Sequence, residues 1–406
     1  MIVRRFLAAA AAVCFCFAQP AAATSRLTFQ ATGSLASDFD NDGSVGFGDF
    51  LAFVDRFGAV VGEALYDVRF DLNTDGIVDF NDFLIFSEAF GTTSTPPLST
   101  PDLALYVLDP GTSSIDVYNI KNHLAQEFLP FRSPGSIRIS ADHERVYVNE
   151  QFGLFVLNDA HQVLYSVPGT TSGQLVLHPD ETFAYAAEPG NDLIRVIDLA
   201  AQAAVDTILV GNRPRKMAVS PDGRWLYVAN AGDISVVDLT RNAEVFRVEV
   251  DGSLDAIVIE PTGSRAYYSV VDRATVGVLD IGTNVIVGEI QLEGDDVNDM
   301  QLSQDGTRLF VNTTTSLVEL DVTRNLVIRS LAIADITSAV GITPDGLFAY
   351  VGSLEPLIFE PVVAVIDLTE WRFLGRIRGF VFPQQIAFRR TSFGDPTESE
   401  AALLHP

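Results

Sequence analysis

Cysteine is almost missing from this chain of 406 residues, and its two copies, Cys14 and Cys16, both fall within the first 23. That segment carries Arg4 and Arg5, an apolar run from Phe6 to Phe17, and Ala21-Ala22-Ala23 before Thr24, the pattern of a cleaved secretory leader. Without residues 1–23 no thiol remains, which excludes disulfides, thiolate metal sites and haem attachment. Positive charge is scarce too: 26 Lys and Arg face 53 Asp and Glu, and the formal charge of −27 becomes −29 once the two leader arginines leave. So acidic a surface repels nucleic acid and anionic lipid. Beyond the leader no stretch reaches the roughly 18 apolar residues of a membrane span. The expectation is an exported protein, secreted or at a cell surface, with no nucleic-acid partner and no membrane insertion. The five histidines form no i, i+2 or i, i+4 ligand pair. No Gly-x-Ser-x-Gly elbow is present either, so a Ser-His-Asp hydrolase has no starting point.

What is present begins with two copies of one acidic pattern, set 33 residues apart. The first runs Asp38-x-Asp40-x-Asp42-Gly43-Ser44-x-Gly46-x-x-Asp49, the second Asp71-x-Asn73-x-Asp75-Gly76-Ile77-x-Asp79-x-x-Asp82. A calcium loop takes oxygens from positions 1, 3, 5, 7 (a backbone carbonyl), 9 and 12, and needs glycine at 6 for its turn. Both copies fill that template. Each gathers four carboxylates that repel one another unless a divalent cation sits among them, so two calcium ions are expected. Apolar residues follow each loop at helical spacing: Phe47, Phe50, Leu51, Val54 and Phe57 before Gly58, then Phe80, Phe83, Leu84 and Phe90 before Gly91. Val45 and Val78, at position 8, are expected to pair the two loops.

Position 12 is Asp rather than Glu in both loops, and no helical pattern precedes the first. A duplicated unit of one loop and one helix resembles a dockerin, the calcium-dependent module that plugs into cohesin domains. The resemblance covers residues 36–91 of a small all-α domain placed at 24–91. It implies that loop positions 10 and 11, here Phe47 and Gly48, then Phe80 and Asn81, help choose a cohesin-like partner. Another extracellular EF-hand pair is the alternative.

Residues 92–101 are a Thr/Pro linker that cannot build a core. After it a second repeat centres on Tyr106, Tyr147, Tyr185, Tyr227, Tyr267, Phe310 and Tyr350, at intervals of 41, 38, 42, 40, 43 and 40 residues. Each copy holds four strand-like runs with turns such as Pro221-Asp222-Gly223, so a mostly β fold is expected, a seven-bladed β-propeller over 102–390. The repeat enters at its second strand and ends, at Gln385-Ile386-Ala387-Phe388, on a strand of the first type, which closes the ring. Residues 391–406 read as a disordered tail. The wording Ser-Pro-Asp-Gly-x-x-Leu-Tyr-Val-Ala-Asn resembles YVTN-type propeller repeats, which share architecture with lactonase-like propellers.

The resemblance to these repeats implies a fold and no single activity. His178 reads either as a metal ligand or as a satisfied turn histidine. The run from Glu293 to Asp299 reads as an inter-blade connection, either a cation site or a solvated acidic loop, and Leu354 to Pro361 as an insertion with a contact surface. The chain as a whole reads as a non-catalytic interaction protein docking through calcium, its propeller presenting a face to protein or glycan. The alternative is a secreted hydrolase of polysaccharide or lactone carrying the same module. Carboxylates converging in the channel mouth would favour that alternative.

Overall fold

The computed structural model describes residues 37, 39, 45, 47–63, 65–73, 75–90, 103–120, 123, 125–271, 273–292, 296–333, 336–354 and 360–390; for 47, 48 and 88 it describes the backbone alone. The leader, the linker 92–101, the tail 391–406, most of the first acidic loop and the apolar insertion at 355–359 lie outside them.

Two helices follow the acidic loops, α1 (Phe47–Val54) and α2 (Phe80–Ala89). In each, the loop's last aspartate is turned inward: Asp49 and Asp82 are buried, and the residue one turn further on, Phe53 or Phe86, is buried with it. The rings of Phe53 and Phe86 stack 5.4 Å apart, with Phe39 and Phe70 against them. This fixes which stripe faces inward, and it corrects the expected one: Leu51, Val54, Phe80 and Leu84 are exposed. Val45 and Val78 are buried in one cluster, as expected, while the main-chain partners of Val78 are Gly58 and Ala59 and the described bridge is Val60 to Ile77. The segment just past α1 satisfies these backbone groups.

Everything described from Leu103 onward is β. The strands form seven antiparallel four-stranded units, two of them joined in a single seven-stranded sheet. Blade one is built from both ends of the array, with Gln385–Arg390 pairing onto Leu103–Asp109. The inner strands of blades one to seven are Gln385–Arg390, Ser136–Ile139, Leu175–Leu177, Lys216–Val219, the latter half of Ala243–Ile259, Val297–Leu302 and Thr337–Ile342. Each touches the next and the seventh touches the first, so they enclose a channel.

The alternation of side chains explains the layers. On the second strand of each blade the repeat's aromatic residue is buried between its own blade and the next, among Val, Ile and Leu. Burial of each such ring contributes about 2–3 kcal/mol. Outer strands face solvent on most positions, as at Ala203–Leu209. The first turn of several blades is tied by an aspartate that accepts from a hydroxyl two residues earlier: Ser140 to Asp142, Ser220 to Asp222, Ser303 to Asp305 and Thr343 to Asp345. The ring is clasped where it closes. Asp109, fully buried, accepts from the amides of Gly111, Val381 and Phe382. Arg389 donates to the carbonyls of His143 and Asp159 and to the Tyr106 hydroxyl.

Candidate functional site

Of the two acidic loops, the second is described almost throughout. Asp71 accepts from the amides of Asp75 (3.1 Å) and Gly76 (2.8 Å) and from the Tyr66 hydroxyl (2.7 Å). Gly76 has φ of +90°, the left-handed turn for which glycine is suited. Asn73 Nδ2 donates to Asp75, and the Ile77 amide donates to Asp75 as well. Asp82 spans the loop, accepting from the amides of Asn73 and Asp79, while Asp79 caps α2 by accepting from Asn81. The negative field is felt by its neighbour: the hydrogen bond to Asp71, then burial, then the charges of Asp71, Asp75 and Asp82 push the Tyr66 phenol up to about 12.

Of the first loop, Asp38, Asp40, Asp42, Ser44 and Gly46 lie outside the described residues. Its Asp49 is buried and accepts from the Phe39 amide at 2.5 Å, one loop position earlier than the Asn73 amide from which Asp82 accepts. Phe47 and Gly48 stand in the first turn of α1; Phe80 and Asn81 are exposed at the start of α2. The donor set is the hard-oxygen kind that suits calcium, and buried Asp71 and Asp82 are the two positions such an ion would neutralise. Among the described residues no three of His, Cys, Asp and Glu stand close enough together to hold a metal ion.

The channel holds the second constellation. Where blades one, two, six and seven meet, a cavity of about 320 Å³ is lined by Ile137, Arg138, Gln301, Thr343, Gln385 and Phe388, among others. Gln385 spans blades one and two, accepting from the Ile137 amide and donating to its carbonyl; Gln301 does the same work between blades six and seven by accepting from the Ile342 amide. Arg138 donates to Ile137 O at 3.0 Å, and burial brings its guanidinium down to about 10 against the opposing pull of Asp299. Asp299 lies 3.7 Å from Lys216 Nζ and accepts from the Val340 amide. Arg138 of blade two, Lys216 of blade four and Asp299 of blade six thus place two cations and one anion at the channel, beside the glutamines that bridge the blades. At blades four and five, Arg215 pairs with Asp255 at 2.9 Å.

Sequence reasoning missed this group. Asp299 was expected in a connecting loop, yet it belongs to the inner strand Val297–Leu302, because Val297 and Met300 are buried and draw the end of the acidic run into the sheet. The available signal was Arg138, a cation between two isoleucines in a four-residue strand. His178 is a satisfied turn histidine: Nδ1 meets Asp180 at 2.5 Å and Nε2 meets Gly223 O at 3.0 Å.

Seven antiparallel blades around a channel, closed by a strand from the far end of the chain, make this protein a β-propeller. Residues 147–251 match the family model described as Lactonase, 7-bladed beta-propeller. Among solved structures the chain is similar to the hydrazine synthase of Kuenenia stuttgartiensis, at 16% identity and a TM-score of 0.57 over 65% of this chain and 92% of that one. It is also similar to a functionally unknown protein from Desulfotomaculum acetoxidans DSM 771, at 14% identity and 0.61 over 71% and 99%. At these identities the likeness is one of fold. Comparison with curated proteins gave no match.

Proposed function

We propose that this is an exported interaction protein whose amino-terminal module binds two calcium ions and docks onto a cohesin-type or other extracellular protein, while the propeller presents a protein- or glycan-binding face. The observation that carries the reading is the way the two helices are turned. Their last loop aspartates and Phe53 and Phe86 point inward, which leaves Leu51, Val54, Phe57, Phe80, Leu84 and Ile85 on the outside. So many exposed large apolar side chains on two short helices suit a surface that another protein covers. Asp38, Asp40, Asp42, Ser44, Gly46 and Asp49 would hold one ion, and Asp71, Asn73, Asp75, Ile77, Asp79 and Asp82 the other. Bound calcium would offset the mutual repulsion of the carboxylates; the chain's own part is to present their oxygens and to hold the helices at a fixed angle. Calorimetric titration of the full chain with calcium should give two sites, and Asp71→Ala should remove one of them while the propeller melts unchanged. A flat trace would overturn the proposal.

The match to a lactonase model supports a second reading, hydrolysis of a cyclic ester in the channel. Arg138 would polarise the ester carbonyl, and Asp299 would take a proton from the attacking water as its oxygen bonds to the carbonyl carbon, then return that proton to the ring oxygen as the C–O bond breaks. A pH-stat assay with δ-gluconolactone and γ-butyrolactone checks it: turnover by the parent chain should fall about 100-fold or more in Asp299→Asn. Equal rates in the two proteins would remove this reading.

A further inference from the structure

Blade six breaks the repeat at one place, and a cavity opens there. In the other six blades the buried aromatic residue of the second strand is a tyrosine paired with a valine of the third: Tyr106 with Val117, Tyr147 with Val156, Tyr185 with Val196, Tyr227 with Val236, Tyr267 with Val278 and Tyr350 with Val365. In blade six the pair is Phe310 with Glu319. Several of the tyrosine hydroxyls bond across to a left-handed turn residue of the next blade, as Tyr106 does to His161 (2.6 Å), Tyr227 to Asn284 (2.8 Å) and Tyr350 to His123 (2.9 Å). The turn residue facing Phe310 is Trp371, with φ of 52°, and its buried indole N–H has no hydrogen-bond partner.

Glu319 is 2% exposed and held by two arginines, Arg308 at 3.1 Å and Arg329 at 2.5 Å. Arg329 also crosses the seam, donating to Leu368 O at 2.8 Å and lying 4.3 Å over the Trp371 ring. A buried carboxylate held by two partly exposed arginines is a weaker source of stability than the Tyr–Val pair that stands at this level elsewhere in the ring. Six blades keep the better packing and one gives it up, which points to a use other than holding the fold.

That use has a place. A cavity of about 520 Å³ lies on the seam between blades six and seven, and Phe310, Arg308, Arg329, Leu368, Asp305 and Asp345 are among its walls. The two aspartates sit at the turns of blades six and seven, each accepting from its own turn hydroxyl with lone pairs to spare. We propose that this seam is a second ligand site, distinct from the channel, and that it takes a neutral, hydroxyl-rich molecule such as a sugar. An anion entering it meets Asp305 and Asp345, and a cation meets Arg308 and Arg329, which share the single carboxylate of Glu319. A sugar satisfies both sets. Its hydroxyls donate to the aspartates and accept from the guanidinium groups.

The test uses the full chain with cellobiose, maltose, xylobiose and mannobiose as probes, and glucuronate and glucosamine as charged controls, read by saturation-transfer NMR. At least one neutral disaccharide should bind saturably, with or without a calcium chelator. Arg308→Ala should weaken that binding about tenfold. Phe310→Tyr, which restores the repeat and narrows the cavity, should abolish it with the melting temperature equal or higher. No binding of any neutral probe, binding that survives both variants, or tighter binding of either charged control would overturn the proposal.

Discussion

His123 is 6% exposed, its Nε2 2.9 Å from the Tyr350 hydroxyl, and burial brings its pKa down to about 4. The ring is therefore neutral in the fold, while in the unfolded chain it takes a proton near 6.5. The contribution is complete above about 6.5 and is lost as the pH falls to about 4, a span worth roughly 3 kcal/mol. Denaturant unfolding followed from pH 7 to 4 should show that decline, and His123→Gln should lack it. At the same scale, the aromatic column and the turn aspartates are readable from the sequence because they recur every forty or so residues. Arg138, Lys216 and Asp299 occur once each, on strands of different blades, and only the ring's closure brings them to one channel.

Turns and helices show where local pattern is enough and where it is not. Asp180 is held down to about 2 chiefly by the Thr182 hydroxyl and amide, and Asp142, Asp222 and Asp305 are lowered by equivalent bonds. Their contribution is present above the ordinary aspartate range and is lost only as the pH falls below about 4, so it does not overlap the histidine window. These turns are legible residue by residue. The helices are legible as helices, but not in their rotation: apolar residues lie on every side of α1, and the inward direction is set by Asp49, which a spacing argument treats as a polar, outward position. The boundary between blades four and five is likewise hidden. The strand Ala243–Ile259 runs through Asp251-Gly252-Ser253, because Ala231–Asp238 is long enough to pair again with Ser253 beyond a bulge, with Gly252 at φ of +125°.

Across the whole molecule, closure depends on the last strand. Gln385–Arg390 pairs with Leu103–Leu108, Gln385 reaches blade two, and Arg389 ties the His143 and Asp159 carbonyls of blade two to Tyr106 of blade one. Deleting residues 385–406 should leave the Leu103–Asp109 edge open, abolish the cooperative melt and send the protein into aggregates on size exclusion. A soluble chain melting like the parent would show that the ring does not need its clasp. This order was visible in the sequence, since the repeat starts on a second strand and ends on a first.

The shared strand of blades four and five has one more effect. Elsewhere successive blades are separate sheets joined by a connecting segment, where a protease can nick the chain or an engineer can place new termini. Between blades four and five one strand serves both sheets, pairing with Ala231 at Ser253 beyond a bulge at residues 250–252 and with Val270 at Leu254. Blades four and five are therefore one continuous sheet, and the seven blades of the ring are made of six sheets.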